Sequence, residues 1–151
     1  MFNKTILLII IPFILFSQEK VEFMSKNPFS FHDVITNLKE QEDQLVYGIL
    51  KMPDDLNNSI SVPLIIAVAG SNGWADHHYE YLEMYRQNGI ATFELCSFKS
   101  RGVFSSVGDQ TNVTTAMMIV DAYSAFEALV NHPLINQNKI GITGWSLGGG
   151  V

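Results

Sequence analysis

The sequence predicts an α/β fold built on a mostly parallel sheet. Apolar stretches rich in β-branched residues, such as 62–69, alternate along the chain with stretches of helical periodicity, such as 111–131. An unbroken apolar run, without polar alternation, is typical of a strand that is buried on both faces of a parallel sheet. Strands that alternate with helices form βαβ units with right-handed crossovers.

Length and composition exclude several classes of protein. The chain has 151 residues, which is one domain at most, and 47% hydrophobic residues argue against intrinsic disorder. A net charge of −6 argues against a nucleic-acid-binding protein, which needs clustered Lys and Arg. The single cysteine excludes a disulfide framework and a multi-cysteine zinc site. Because the sequence has no phosphate-binding glycine motif and no metal-ligand spacing, we expect no cofactor and no metal.

Residues 1–18 are predicted to be a signal peptide or an N-terminal anchor. Lys4 provides a positive charge, and residues 6–16 form an unbroken apolar run. A run of about 11 residues has the length of a signal-peptide core and is too short to span a bilayer of roughly 30 Å as a helix. We therefore expect export to a periplasmic or extracellular location. An uncleaved anchor formed by 6–16 is the alternative, and a membrane contact is expected only through this segment.

The other elements follow in order along the chain. Residues 19–43 are predicted to be a loosely structured lead-in with a short helix near 32–39, and the domain is expected to cover 44–151. Thr111 or Asn112 is the predicted N-cap of the longest helix. The predicted elements of the domain are strands at 45–51, 62–69, 90–95 and 139–143, helices at 76–88 and 111–131, and turns at 52–55 and 57–59.

The strongest functional signal is the segment 144–149, Gly-Trp-Ser-Leu-Gly-Gly, which directly follows a predicted strand. Glycine is needed two residues before and two residues after the serine, because the tight strand-to-helix turn leaves no room for a Cβ atom. This turn exposes the serine hydroxyl and aims the N-terminus of the next helix at the reaction centre. Ser146 is therefore the predicted nucleophile, and an ordinary glycine-rich turn is the alternative.

The loop at 70–73, which follows the strand at 62–69, is the second candidate part of a site. Acyl transfer needs two donors for the oxyanion that develops in the transition state. The backbone N–H of Leu147 is the first predicted donor. The 70–73 loop is expected to supply the second, with Ser71 as the first choice and Asn72 as the next. A plain turn is the alternative for this loop.

Five other polar residues have more modest interpretations. Arg101 is expected either to bind a substrate carboxylate near the mouth of the pocket or to be a solvated loop charge. For His77 and His78, surface or capping roles are favoured over catalysis. His132 is predicted to be structural, and Cys96 is predicted to be a buried small hydrophobe rather than a reactive thiol.

Three stretches that lead into the elbow at 144–149 resemble the dienelactone hydrolase family of α/β-hydrolases. They lie at 63–73, at 97–110 and at 121–141, and the resemblance covers roughly 44–151. It implies the N-terminal half of a three-layer α/β-hydrolase sandwich with a mostly parallel central sheet, incomplete at the C-terminus. The implied activity is hydrolysis of a small-molecule ester or lactone through an acyl-serine intermediate. The order of the triad in this fold, nucleophile, acid and then His, places the acid and the His beyond residue 151.

The sequence departs from the family pattern at two positions and leaves two other functions open. The name-giving enzymes of the family carry Cys where Ser146 stands, and relatives often carry Asp where Cys96 stands. One alternative function is a catalytically inactive fragment or a non-enzymatic binding remnant of the fold. The other is a peptidase or an acyltransferase, because both use the same elbow.

Overall fold

The computed structural model describes residues 18–54 and 61–151. Its strands are β1 (Gln18–Lys26), β2 (Asp43–Lys51), β3 (Val62–Val68), β4 (Ala91–Leu95) and β5 (Ile135–Gly144). They form one sheet in the order β1-β2-β4-β3-β5. β3 is parallel to both of its neighbours, β4 and β5, whereas the pairs β1–β2 and β2–β4 are antiparallel. The sheet is therefore mixed, with its parallel part around β3.

The predicted turn at 57–59 lies outside the described residues. The predicted signal segment also lies outside them, except for residue 18, which is the first residue of β1. Within the described ranges, no helix has the length and apolar character needed to cross a membrane.

The sheet is covered by helices on both faces, as predicted for a three-layer arrangement. The helices are α1 (Phe31–Thr36), α2 (Asp76–Gln87), α3 (Ser97–Ser100) and α4 (Thr115–Leu129). Arg86 of α2 donates to the hydroxyl of Thr92 at 2.9 Å, whereas Ala122 of α4 lines an apolar groove with Ile66. Ile66 is paired with Phe93, the neighbour of Thr92, so α2 and α4 lie on opposite faces.

The central strand β3 brings buried side chains to both faces of the sheet. Leu64 and Ile66 lie in the hydrophobic core on the α4 face, and Ala67 is fully buried on the other face. This burial accounts for the unbroken apolar run that predicted the strand. The same burial holds the C-terminal end of β3 in place, and the 70–73 loop begins at that end.

The lead-in at 19–43 is not loosely structured, and that expectation is wrong. β1 pairs with β2 along its whole length, from Gln18 opposite Lys51 to Lys26 opposite Asp43. In β1, Phe23 is buried whereas the residues on either side of it are exposed. This alternation is typical of an antiparallel strand with one solvent-exposed face. Such a strand contains many polar residues, so it is hard to recognise from the sequence. The short helix predicted near 32–39 is confirmed as α1 and a following 3-10 turn.

The longest helix begins later than predicted. Thr114, rather than Thr111 or Asn112, is the N-cap of α4, and its hydroxyl accepts from the Met117 N–H at 3.2 Å. Thr111 and Asn112 instead donate to the carboxylate of Asp109, through a main-chain N–H at 2.9 Å and a side-chain amide at 2.7 Å. A local Asp-centred turn therefore competes successfully with helix initiation at these positions.

Candidate active site

Ser146 has an unusual backbone conformation at the turn that follows β5. Its φ is 51°, and it is the only non-glycine residue with a positive φ in the part of the chain that the structure describes. The left-handed region costs a residue with a Cβ atom roughly 1–2 kcal/mol. Strained conformations of this kind persist where the surrounding structure enforces them, and they cluster at functional sites. The side chain of Ser146 is exposed at the surface.

The glycines on either side of Ser146 are required by close backbone contacts. A Cβ atom on Gly144 would overlap the carbonyl group of Gly148, and a Cβ atom on Gly148 would overlap the carbonyl oxygens of Val68 and Ala69. The elbow is thus pressed against the end of β3. This geometry confirms the crowding that was inferred from the spacing of the glycines.

The 70–73 loop lies directly against the elbow. A Cβ atom on Gly70 would stand 3.1 Å from the Trp145 carbonyl oxygen and 3.4 Å from the Ser146 Cβ atom. The loop is a tight turn, in which the Gly73 N–H donates to the Gly70 carbonyl at 2.9 Å and Gly73 has a φ of 75°. Gly70 therefore lies against the elbow, and the N–H of Ser71 belongs to the peptide that joins Ser71 to Gly70.

The other predicted donor, Leu147, lies in the 3-10 turn Ser146–Gly150. The N–H groups of a first helical turn have no partner within the helix. The side chain of Leu147 is partly buried and packs against the hydrophobic core. The structure therefore brings Ser71, Ser146 and Leu147 to one place, where the ends of β3 and β5 meet.

Arg101 does not belong to this site, and both predicted roles for it are wrong. Its side chain is only 6% exposed and forms an ion pair with Asp121, which is fully buried. The Arg101 Nε donates to Asn27 at 2.8 Å, and its two terminal nitrogens also donate to the carbonyls of Ser97 and Lys26. All five N–H donors of the guanidinium group are engaged, so none is left for a substrate carboxylate.

The predicted capping role of His78 is confirmed. Its Nδ1 accepts from the Ala75 N–H at 3.1 Å at the start of α2, and the residue is 4% exposed. Its ring lies 4.6 Å from the ring of Trp145, the residue before the candidate nucleophile. Burial, and secondly the charge of His77, lower the pKa of His78. Within the described ranges, no hydrogen bond joins a histidine to the Ser146 hydroxyl.

Two further predictions are also confirmed. His132 has a structural role, because its Nδ1 accepts from the Leu134 N–H at 3.3 Å. Cys96 is buried, and desolvation raises the pKa of its thiol to about 11, so it is protonated at neutral pH. No group of three or more His, Cys, Asp or Glu residues that could hold a metal ion is found among the described residues.

A cleft of about 230 Å³ opens beside the 70–73 loop. Its lining is mainly apolar and aromatic, and it also includes the polar residues Asn72 and Lys99. The aromatic side chains that line it are those of Trp74, Tyr79, Phe98 and Phe104. Asn72 therefore lines this cleft, and it is still the second predicted choice after Ser71 for the oxyanion donor.

Sequence reasoning missed Ser105 and Ser106 as neighbours of the site. The Ser106 N–H donates to the Ser71 carbonyl at 2.8 Å, and the Ser105 hydroxyl donates to the same oxygen at 3.1 Å. The two serines lie more than 30 positions further along the chain from Ser71. Serines in a polar loop carry no local pattern that would reveal this contact.

Solved structures of hydrolases match the chain in three dimensions. A dienelactone hydrolase-like promiscuous phosphotriesterase from metagenomic libraries matches with a TM-score of 0.59 and 16% identity, over 88% of this chain and 51% of that chain. The chain has the α/β-hydrolase fold. Est1E from Butyrivibrio proteoclasticus aligns with this α/β-hydrolase chain at a TM-score of 0.53 and 20% identity, over 70% of this chain and 38% of that one.

The same fold is shared with a peptidase. Dipeptidyl peptidase 4 from Porphyromonas gingivalis matches this α/β-hydrolase chain with a TM-score of 0.51 and 18% identity, over 87% of this chain and 17% of that chain. The chain spans about half the length, or less, of these solved structures. No family model matches it, and no curated protein matches it.

Proposed function

We propose that the full-length protein is a serine hydrolase of the dienelactone hydrolase type, which cleaves a small ester or lactone through an acyl-Ser146 intermediate. The observation that carries this proposal is the left-handed backbone of Ser146 between Gly144 and Gly148, at the end of a parallel strand. The fold alone hosts many functions. A strained, exposed serine beside the turn at 70–73 supports acyl transfer specifically.

In the proposed reaction, the Ser146 Oγ attacks the substrate carbonyl while a general base takes its proton. The carbonyl oxygen becomes an oxyanion, and the N–H groups of Ser71 and Leu147 stabilise it. Removal of one such donor from an acyl-transfer site typically lowers kcat by about 10²–10³. The tetrahedral intermediate then collapses: the bond to the alcohol oxygen breaks, and this oxygen takes the proton from the base. Water, activated by the same base, hydrolyses the acyl-serine.

The base and its acid partner are proposed to be a His and an Asp that follow residue 151 in the full-length protein. The order of the triad in this fold supports this placement. A serine hydroxyl without an adjacent base is a poor nucleophile, so Ser146 depends on that partner. The aromatic cleft beside the 70–73 loop suits a small, flat substrate.

A peptidase is the second candidate function, and one observation favours it. Structures with peptidase activity in their names match the chain with TM-scores just above 0.5. The structures that match with TM-scores of 0.59 and 0.56, however, are named as a dienelactone hydrolase-like phosphotriesterase and a putative dienelactone hydrolase. We therefore place ester hydrolysis first.

The export of the protein is also a proposal, supported by Lys4 and the apolar run at 6–16. N-terminal sequencing of the protein from the host tests it. A mature N-terminus close to residue 18 supports a cleaved signal peptide. An intact N-terminus in the membrane fraction supports an anchor, and an intact N-terminus in the cytosolic fraction contradicts export.

The nucleophile is tested by labelling the full-length protein with a fluorophosphonate probe and by hydrolysis of p-nitrophenyl esters and peptide anilides. We expect labelling of Ser146, and Ser146→Ala should lower ester hydrolysis by at least about a thousandfold. Ser61→Ala, at the opposite end of β3, is the matched control and should keep the wild-type rate. Labelling that persists in Ser146→Ala, or a wild-type protein that is not labelled, would contradict the proposal. A preference for anilides would favour the peptidase.

A further inference from the structure

The carbonyl of Ser71 is held from outside its own loop by the support segment, which we define as residues 104–107. The Ser106 N–H donates to this carbonyl at 2.8 Å and the Ser105 hydroxyl at 3.1 Å. The Ser105 Oγ also lies 3.5 Å from the Asn72 Oδ1. Because the peptide between Ser71 and Asn72 is planar and trans, holding its carbonyl fixes the orientation of the whole peptide plane.

The support segment is anchored through Ser106, whereas Phe104, Ser105 and Val107 are exposed. Ser106 is 1% exposed, and its carbonyl accepts from the Asp109 N–H at 3.2 Å. The Val107 N–H donates to the Ser105 Oγ at 3.1 Å, so the hydroxyl oxygen is held and its hydrogen is left for the Ser71 carbonyl. A Cβ atom on Gly73 would stand 3.0 Å from the Phe104 carbonyl oxygen, so the segment also packs against the far end of the 70–73 loop.

The two peptide planes that flank Ser71 are thus fixed by different bonds. The plane before Ser71 is held by the Gly73 N–H, which donates to the Gly70 carbonyl at 2.9 Å. The plane after Ser71 is held by the support segment. The φ and ψ of Ser71 alone connect the two planes, so the orientation of the second plane limits the orientations that are open to the first. The N–H of Ser71 belongs to the first plane and points away from the Gly70 carbonyl.

We propose that Ser105 is a positioning residue, whose hydroxyl orients the Ser71 N–H towards the developing oxyanion. This inference rests on the proposed function, because it assigns to Ser105 a role in the same reaction. Ser105 does not contact the substrate. Without its hydroxyl, the Ser71 carbonyl keeps one of its two donors, and the loop samples orientations in which the Ser71 N–H is misdirected.

The test compares steady-state kinetics of Ser105→Ala and Ser105→Thr in the full-length protein with an ester substrate. We expect Ser105→Ala to lower kcat about tenfold, with KM unchanged within about twofold, since the lost bond acts on the transition state. Ser105→Thr keeps the hydroxyl and should restore kcat to within about twofold of the wild type. Ser61→Ala serves as the matched control. An unchanged kcat in Ser105→Ala, or a loss of kcat that Ser105→Thr shares, would overturn the proposal.

A second measurement separates this proposal from the proposed function. The ¹³C resonance of the Ser71 carbonyl should move upfield in Ser105→Ala and stay in place in Ser105→Thr, because it reports the lost hydrogen bond directly. If the wild-type protein hydrolyses no ester, the proposed function fails. The carbonyl resonance then still decides whether Ser105 positions the loop, and an unmoved resonance would overturn that role.

Discussion

Arg101 and Asp121 form a buried bidentate ion pair, with 2.7 Å between Nη1 and Oδ2 and 3.0 Å between Nη2 and Oδ1. The Ser25 hydroxyl donates to the same carboxylate at 2.6 Å, and the Arg101 Nε donates to Asn27 at 2.8 Å. This network joins β1, the end of α3 and α4. It therefore ties the N-terminal strand to the loop that leads into the support segment.

Asp121→Asn should lower the free energy of unfolding by about 3 kcal/mol, because it leaves the buried guanidinium without a counter-charge. Urea denaturation of the full-length protein, followed by circular dichroism, measures the change. Lys20→Gln is the control, since it breaks the exposed pair of Lys20 with Glu22, and its midpoint should match that of the wild type. An Asp121→Asn variant as stable as the wild type would show that the buried pair does not hold β1 in place.

Gly144→Ala should destabilise the elbow by about 3 kcal/mol, since its Cβ atom would overlap the Gly148 carbonyl group and the neighbouring backbone cannot give way cheaply. Gly150→Ala is the matched control, because no atom lies within 4 Å of its Cβ position and its φ is not left-handed. Thermal unfolding of the two variants checks the prediction. Equal melting temperatures of Gly144→Ala and Gly150→Ala would mean that the elbow is less tightly packed than the structure shows.

The parts of the site that could be predicted are those whose cause is local in the sequence. Gly144 is crowded by Gly148, which is only four positions away, and the apolar run at 62–69 reflects the burial of that strand on both faces. The elbow, the central strand and the loop after it could thus be placed from the sequence. The order of the elements predicts βαβ units, whereas the α/β-hydrolase fold is implied by the resemblance to the dienelactone hydrolase family.

The parts that could not be predicted depend on partners that are distant in the sequence. Arg101 is bonded to Asn27, 74 positions away, and Ser25 to Asp121, 96 positions away. A polar residue in such a network resembles any solvated polar residue when its partners are not known. The same difficulty hid β1, whose alternating pattern gains meaning only when β2 lies beside it.

Ser146→Gly should be more stable than Ser146→Ala by about 1 kcal/mol, although both variants lack the hydroxyl. The reason is that φ is 51° at this position, where glycine avoids the cost of a Cβ atom in the left-handed region. Urea denaturation of the two variants measures the difference, and both should fail to react with the fluorophosphonate probe. If Ser146→Ala were the more stable variant, the turn would relax when the serine is removed, and the proposed strain would be absent.

His78 makes the stability of the protein depend on pH in a defined direction. Burial lowers its pKa from the ordinary value of 6.5, so the unfolded chain binds a proton at this residue more readily than the folded chain does. The contribution of His78 to stability is therefore complete above about pH 6.5. It is lost as the pH falls from there towards the lowered pKa of the folded state.

His78→Gln should remove this contribution while keeping the cap of α2, because glutamine at this position can accept from the Ala75 N–H without titrating. Urea denaturation at pH 7.5 and pH 5.5 compares the two proteins. The free energy of unfolding of the wild type should fall more steeply between these pH values than that of His78→Gln. If the two proteins lost stability equally between these pH values, the prediction would be contradicted. The His78 ring would then accept a proton while it stays packed against Trp74 and Trp145, and its burial would not lower its pKa.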